Sequence, residues 1–288
     1  VARCKNISKA AEEVFISQPS LTAAIHQLED EMGVIIFSRT NKGVELTSEG
    51  EEFLGYARQV LEQASLLEER FTGSNKPSSF FSVSCQHYSF AVNAFVDVIK
   101  EFGGNKYKFT IRETQTYEII EDVSKMKSEV GVLYLTSKNE EVISKLIKKN
   151  DLEFTELFTA PSHVFISDTN PLAKKKSITL KDLEPYPYLV YEQGEHNSFY
   201  FAEEPFPADD SDKIILVRDR ATLFNLLIGL NGYTVCSGII SKELNGPNII
   251  SKPLQIDEKM RVGYITKKNV LLSRYGKKYI ESIEKYIK

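Results

Sequence analysis

Apolar residues recur at helical spacing in two short segments near the start of the chain. Ala10, Ala11 and Val14 share one face of Lys9 to Val14, which Ser8 is placed to cap, and Phe15 and Ile16 then turn the chain. A second helix follows at once. Ser17 or Gln18 can cap it, Pro19 falls in the first turn where a missing N–H is harmless, Leu21, Ile25 and Leu28 form its apolar stripe, and Gly33 supplies a stop. Val34 to Phe37 is then apolar, Arg39 to Gly43 is basic and polar, and Val44 to Thr47 alternates like a returning strand. From Thr47, an N-cap followed by Glu49 and Glu51, a long helix is predicted to about Phe71.

Gly73 to Ser79, rich in Gly, Asn, Pro and Ser, interrupts the pattern as a linker. Beyond it, strand-length apolar runs alternate with helical stripes. Phe81 to Cys85, Phe109 to Arg112 and Val130 to Leu135 read as strands; the stripe Ala91, Phe95, Val98, Phe102 and the segments Tyr117 to Lys127 and Asn139 to Lys149 read as helices. A second cycle starts near Pro161, with strands His163 to Ser167, Tyr188 to Tyr191, Ile214 to Val217 and Tyr233 to Cys236 around a helix Ala221 to Leu230. Met260 to Thr266 and a helix Tyr275 to Ile287 close the chain. The rhythm predicts a mostly parallel sheet with helices on its faces.

With 288 residues, the chain exceeds what one core usually holds, so two or three units are expected. No apolar run reaches membrane-spanning length and no basic-then-apolar signal opens the chain, which points to the cytoplasm and away from a membrane partner. Cys4, Cys85 and Cys236 are scattered, against a disulfide framework or a structural zinc site. His26, His87, His163 and His196 lack the paired spacing of metal ligands, and no phosphate-cradling glycine motif or nucleophile elbow occurs. No metal or cofactor is therefore expected, and His87 reads as a solvated loop residue.

The second helix carries the first chemical signal. Opposite its apolar stripe lie Gln18, Ser20, Thr22, Ala23, His26 and Gln27, a short, polar, uncharged face that suits the major groove. Spacing alone leaves an ordinary helical hairpin open; the basic hairpin after Gly33 favours a winged helix-turn-helix. Charge argues the other way. Residues 1–72 hold seven Lys and Arg against twelve Asp and Glu, whereas a non-specific DNA binder is basic. In the long helix, Phe53, Ala57, Val60, Ala64, Leu67 and Phe71 are spaced alternately four and three apart. Such a heptad seam suits a coiled coil between two copies, with a lone amphipathic helix as the alternative.

The sequence resembles the LysR-type transcriptional regulators through Ser8-Lys9-Ala10-Ala11, Ser17-Gln18-Pro19-Ser20-Leu21, Ile25, Leu28-Glu29, Gly33, Phe37-Ser38-Arg39 and Leu46-Thr47-Ser48-Glu49-Gly50. Asn170-Pro171-Leu172-Ala173 and Ile178-Thr179-Leu180-Lys181-Asp182-Leu183 match phrases of the family's second lobe. The resemblance implies a multidomain α/β protein: a winged helix-turn-helix over 1–46, a dimerisation helix over 47–72, a hinge over 73–79 and a two-lobed, periplasmic-binding-protein-like effector domain over 80–288. Its first lobe would be 80–161 with 267–288, and its second 162–266. Val1 to Lys5 would end a further helix. DNA contacts would come from Gln18, Pro19, Ser20, Thr22, Ala23, His26, Arg39 and Lys42. Ala23 stands where many members carry Arg, and His26 where Gln is frequent.

In open α/β sheets ligands sit beyond the carboxyl ends of strands. That places Gln86, His87, Tyr88, Thr114, Thr116, Thr136 and Ser137 from one lobe, with His163, Arg218 and Ser237 from the other, around a candidate pocket. By resemblance Gln86 and Thr116 are the best-matched pair; Arg218 would favour a small anion. The expected protein is a dimeric or tetrameric regulator that binds double-stranded promoter DNA and a small-molecule effector. A thiol-sensing regulator is an alternative, since Cys85 and Cys236 fall at strand ends, although Glu192 to Pro207 holds no Cys where the peroxide-sensing branch would have one. A solute-binding protein would have no use for the first 72 residues, and an enzyme would need a nucleophile paired with a base, which no motif supplies.

Overall fold

The computed structural model describes residues 1–40, 43–72, 79–104, 107–206 and 211–287. The chain forms two compact units, one ending with the long third helix and one beginning with the strand at Ser79.

In the first unit, α1 (Ile7–Glu13) starts a turn-residue earlier than its apolar pattern suggests. The cap is Asn6, not Ser8: its extended backbone lets the side chain accept the Lys9 N–H at 2.9 Å. Val14, which spacing put on the inner face, is the exposed C-cap; Ala10 and Ala11 are the buried pair. In α2 (Gln18–Met32), Ser17 is the cap, accepting from the Ser20 N–H at 3.2 Å, and Gly33 ends the helix in the left-handed region. The wing is the antiparallel hairpin of β1 (Phe37–Thr40) and β2 (Gly43–Leu46). Gly43 has φ 127°, and a Cβ there would lie 2.5 Å from the Lys5 carbonyl, so the close approach that lets Lys5 O accept the Val44 N–H requires glycine. One carboxylate oxygen of Glu29 accepts from the N–H groups of Ile36 and Phe37, at 2.7 and 3.1 Å, and fixes the wing to α2. Thr47 caps α3 (Ser48–Thr72), accepting from the Gly50 N–H at 2.8 Å.

The second unit runs β3 (Ser79–Cys85), α4 (Ser89–Phe102), β4 (Tyr107–Glu113), α5 (Thr116–Ser124), β5 (Val130–Leu135), α6 (Glu140–Lys149), β6 (Leu152–Pro161), β7 (His163–Ser167), α7 (Leu180–Leu183), β8 (Tyr188–Tyr191), β9 (Ile214–Val217), α8 (Arg220–Leu230), β10 (Thr234–Cys236), α9 (Lys242–Asn245), β11 (Ile249–Pro253), β12 (Lys259–Lys267) and α10 (Arg274–Tyr286). The first lobe is a five-stranded sheet of order β4-β3-β5-β12-β6. Strands β3, β4 and β5 are parallel, as the alternation of strands and helices requires. β12 is antiparallel to both its neighbours, because the chain re-enters this sheet from the second lobe at the opposite end.

Two expectations are corrected here. The sheet is mixed rather than mostly parallel, and β12 belongs to the first lobe, so the second lobe ends before Lys259 and not at 266. β6 was not foreseen because Glu153, Thr155 and Glu156 hide its strand pattern; it lies at the sheet edge, where one face stays wet. The second lobe pairs β10 and β11 antiparallel with β7, sets β8 parallel to β9, and joins the two pieces by a bridge between Tyr188 and Tyr233.

Both faces of the first sheet are covered. Phe90, Phe95 and Val98 of α4 pack with Tyr275, Tyr279 and Ile283 of α10 on Val83, Val132 and Val262; Ile119, Ile120 and Ile143 cover Leu133 and Ile265 on the other side. Every residue of β5 is therefore buried, each large side chain contributing on the order of 1.5–3 kcal/mol. The carboxyl ends of β3, β4 and β5 face the connections of the second lobe.

Candidate nucleic-acid interface and effector cleft

At the start of α2, Gln18, Pro19 and Ser20 are exposed, followed by Ala23, His26 and Gln27 along the same helix. Thr22 is half-buried and its hydroxyl accepts from Gln18 Nε2 at 3.0 Å, which holds the Gln18 amide along the helix. Gln27 is engaged with Glu31 at 2.8 Å, and His26 Nδ1 lies 3.4 Å from Glu29. Glu29 is thus structural, a role the sequence did not suggest. Arg39 is exposed on β1; Lys42 lies outside the described residues. Along α3, Phe53 and Ala57 are half-buried while Val60 and Ala64 are exposed, and the side chains of Leu67 and Phe71 lie outside the described residues.

The cleft of the second unit is built at the turns after β3 and β4. Gln86 is buried and donates to the Thr116 hydroxyl at 2.7 Å; its carbonyl oxygen accepts from the Tyr88 hydroxyl at 2.9 Å and the Tyr134 N–H at 3.2 Å. The expected pair is thus in contact. The second lobe supplies further partners, as Gln193 accepts the Thr116 N–H at 3.1 Å and Gln115 donates to the Glu192 carbonyl at 3.3 Å.

His87 is not a solvated residue. Its ring is buried, stacked on Tyr191 with centroids 3.8 Å apart, and its Nδ1 is 3.0 and 2.9 Å from the two carboxylate oxygens of Glu203, one of which also accepts the His87 N–H at 3.0 Å. Burial alone would lower the imidazole pKa; the Glu203 carboxylate outweighs it, and Glu113 adds to it, so the pKa is raised. Glu204, next in sequence, is enclosed and accepts the Tyr191 N–H at 3.1 Å. Burial and the adjacent Glu203 push its carboxyl well above the usual carboxylate range.

The remaining candidates divide. A cavity of about 40 Å³ is lined by His87, Tyr88, Ser89, Glu203, Glu204, Arg220 and Ser237, among others. Arg218 does not reach it: its side chain is exposed and paired with Glu192. Because Asp219 caps α8 by accepting the Thr222 N–H at 2.8 Å, the helix starts at Arg220, and it is Arg220 that turns inward to pair with Glu113 at 3.1 Å. Thr114 bonds Glu118 of α5, the Thr136 N–H is taken by Asn139 at 2.7 Å, Ser137 bonds Glu258 at 3.1 Å, and His163 Nδ1 lies 2.9 Å from the Pro161 carbonyl. These four serve local structure and the lobe crossings. A wider cavity of about 240 Å³ lies under residues 192–206, sharing Tyr191 and Glu204 with the first. Sequence reasoning missed Tyr191, Gln193, Glu203, Glu204 and Arg220. The available signal was Glu203-Glu204 set between Phe201 and Phe206, two adjacent carboxylates in an aromatic stretch.

Cys236 lines the smaller cavity and Cys85 is buried; burial raises both thiols far from the thiolate form that oxidant sensing uses. Among the described residues no group of three or more His, Cys, Asp or Glu is arranged to hold a metal ion, and no helix is long and apolar enough to cross a membrane.

A winged helix-turn-helix continued by a long helix, together with a two-lobed α/β domain that has a polar cleft between its lobes, defines a class of ligand-responsive bacterial regulators. Residues 1–51 match the bacterial regulatory helix-turn-helix protein, lysR family, and residues 87–286 match the LysR substrate binding domain, so the chain belongs to the LysR family. Among curated relatives, the HTH-type transcriptional regulator AlsR of Bacillus subtilis (strain 168) is 26% identical over 80% of this chain and 73% of its own length. The RuBisCO operon transcriptional regulator of Allochromatium vinosum, at 26%, and the DNA-binding transcriptional dual regulator OxyR of Escherichia coli (strain K12), at 23%, each align over 67% of this chain. The chain spans 61% of the length of these two. A full-length OxyR cysteine variant from Pseudomonas aeruginosa has the same fold, with a TM-score of 0.60 at 20% identity over 98% of this chain and 94% of that one. An H2O2-bound OxyR mutant of Corynebacterium glutamicum gives 0.50 at 18% identity, covering 99% and 90%.

Proposed function

We propose that the chain is a sequence-specific DNA-binding transcription regulator whose C-terminal domain answers a small molecule held between its lobes, and that it is not an enzyme. The observation that carries this is the exposed, uncharged first half of α2 beside the wing. Entering the major groove N-terminus first, Gln18 can take an adenine edge, Ser20 either partner of a pair, and the Ala23 methyl a thymine methyl, while Thr22 steadies Gln18. Arg39 on the wing meets a phosphate and carries no sequence information, and the basic Lys42 next in sequence to the wing strand adds charge for the same contact.

The exposed Val60, with Leu61 beside it, leaves apolar surface along α3 that a second copy would cover. The seam from Phe53 to Phe71 pairs two chains and so sets the distance between two reading helices, in a dimer or a tetramer. Domain limits follow as 1–46, 47–72 and 80–288, with the second lobe running from 162 to 258. Effector binding in the cleft changes lobe closure, and thereby the spacing of the DNA-binding pairs.

Fluorescence anisotropy with the full chain and the region upstream of its own gene, at two salt concentrations and with random DNA as competitor, tests this reading. Selective binding at physiological salt is expected. Equal affinity for random DNA would overturn it.

A further inference from the structure

The groups in this cleft that would recognise an anion already hold one, and it belongs to the protein. Glu203 reaches in from the connection between β8 and β9 of the second lobe. Its carboxylate receives the backbone N–H of His87 and faces the imidazole Nδ1 with both oxygens, and both side chains are almost wholly buried. The ring is fixed by Tyr191 behind it. Two donors converging on one buried carboxylate form a seat of a kind that free carboxylates also occupy. Glu204 lies beside it, its carboxyl pushed well above the usual carboxylate range by burial and by Glu203, and the Arg220–Glu113 pair closes the same site. Among its described residues, the connection that bears Glu203 has short 3-10 turns at Gly194–His196 and Phe199–Phe201, and it is flanked by the two cavities of about 40 and 240 Å³. It is tied to the first lobe at further points, including Tyr134, whose hydroxyl donates to the Ala202 carbonyl at 2.9 Å.

We propose that His87 forms a carboxylate-binding seat that the chain fills with its own Glu203, and that the effector is a small carboxylate which displaces Glu203 and frees residues 192–206 from the first lobe. This rests on the reading of the cleft as the effector site. In the absence of effector the lobes are held by an internal ligand, and binding exchanges one carboxylate for another with no net change of charge at the seat.

The test uses the full chain with sodium acetate and sodium formate as probes and sodium chloride at equal ionic strength as the control. Glu203→Ala empties the seat. This variant should melt below the parent, and acetate should raise its melting temperature saturably, by several degrees more than chloride does. The parent should show no acetate-specific rise over the same range, and Glu203→Ala combined with His87→Ala should lose the response. Equal effects of acetate and chloride on folded Glu203→Ala, or an equal acetate response in the parent, would overturn the proposal. If Glu203→Ala does not fold, Glu203→Gln keeps the shape and removes the charge. Acetate should then shift the His87 ring resonances at lower concentration than in the parent, and the absence of any such shift counts against the seat. Anisotropy on the same samples separates the two readings: acetate binding at His87 without a change in DNA affinity supports the seat and removes the regulatory reading of the cleft.

Discussion

At His87 and Glu204 the protein keeps protons that the unfolded chain would release. Both groups have raised pKa values in the fold, so the folded state binds more protons, and the stability they contribute is lost as pH rises. For Glu204 the loss begins above the ordinary carboxylate value of 4.5, and for His87 above 6.5. The melting temperature of the effector domain should therefore decline from mildly acidic toward alkaline pH. Glu204→Gln, which cannot ionise, should flatten that decline and raise the melting temperature at pH 8 by a few degrees. An unchanged slope in the variant would show that Glu204 is ionised in the fold. On the reading helix, Gln18→Ala should change preference at one base pair by about 1–3 kcal/mol, whereas Arg39→Ala should weaken binding to all sequences alike. Binding-site selection with each variant separates the two effects, and equal losses on specific and random DNA for both would contradict this division of labour. At this scale the sequence spoke unevenly. Gln86 and Thr116 could be named because each follows a predicted strand. His87 reads as solvated from sequence because its partner lies 116 residues further on, and Arg220 is not legible there because only the helix start at Asp219 decides which arginine turns inward.

The elements that local pattern determines are the ones that were foreseen. α2, the wing, α3 and the central strand β5 carry their caps, glycines and apolar spacing within a few residues. Strand β6 and the lobe membership of β12 depend on partners far along the chain, and no local pattern reports them. α3 also offers the clearest test of assembly. Val60 is 67% exposed in the single chain, so Val60→Asp should leave the fold of one chain intact while placing a charge in the seam. Sedimentation should then find a smaller species than the parent, and DNA affinity should fall because two linked reading helices become independent. A variant that sediments like the parent would place the interface elsewhere.

Across the whole molecule the charge is unhelpful to DNA binding: the net is −4, and the first 72 residues are more acidic than basic. Among the described residues, Lys5, Lys9 and Arg39 are exposed cations for phosphate contact on each copy. The logarithm of affinity should accordingly fall gently with the logarithm of salt concentration, roughly 0.9 per phosphate neutralised, and titrations from low to physiological salt should give a shallow line. A steep line would mean that phosphates are met by groups other than these. The segment from Glu192 to Phe206 has one more consequence. A carboxylate tethered to the protein presents itself to its seat at an effective concentration fixed by the chain that carries it, of millimolar order or above for a short connection. A free competitor prevails only when its own concentration, weighted by its affinity, exceeds that figure. The threshold at which such a regulator answers is then written in the length and stiffness of a loop, and can be retuned by insertions or prolines there while the groups that recognise the signal stay as they are.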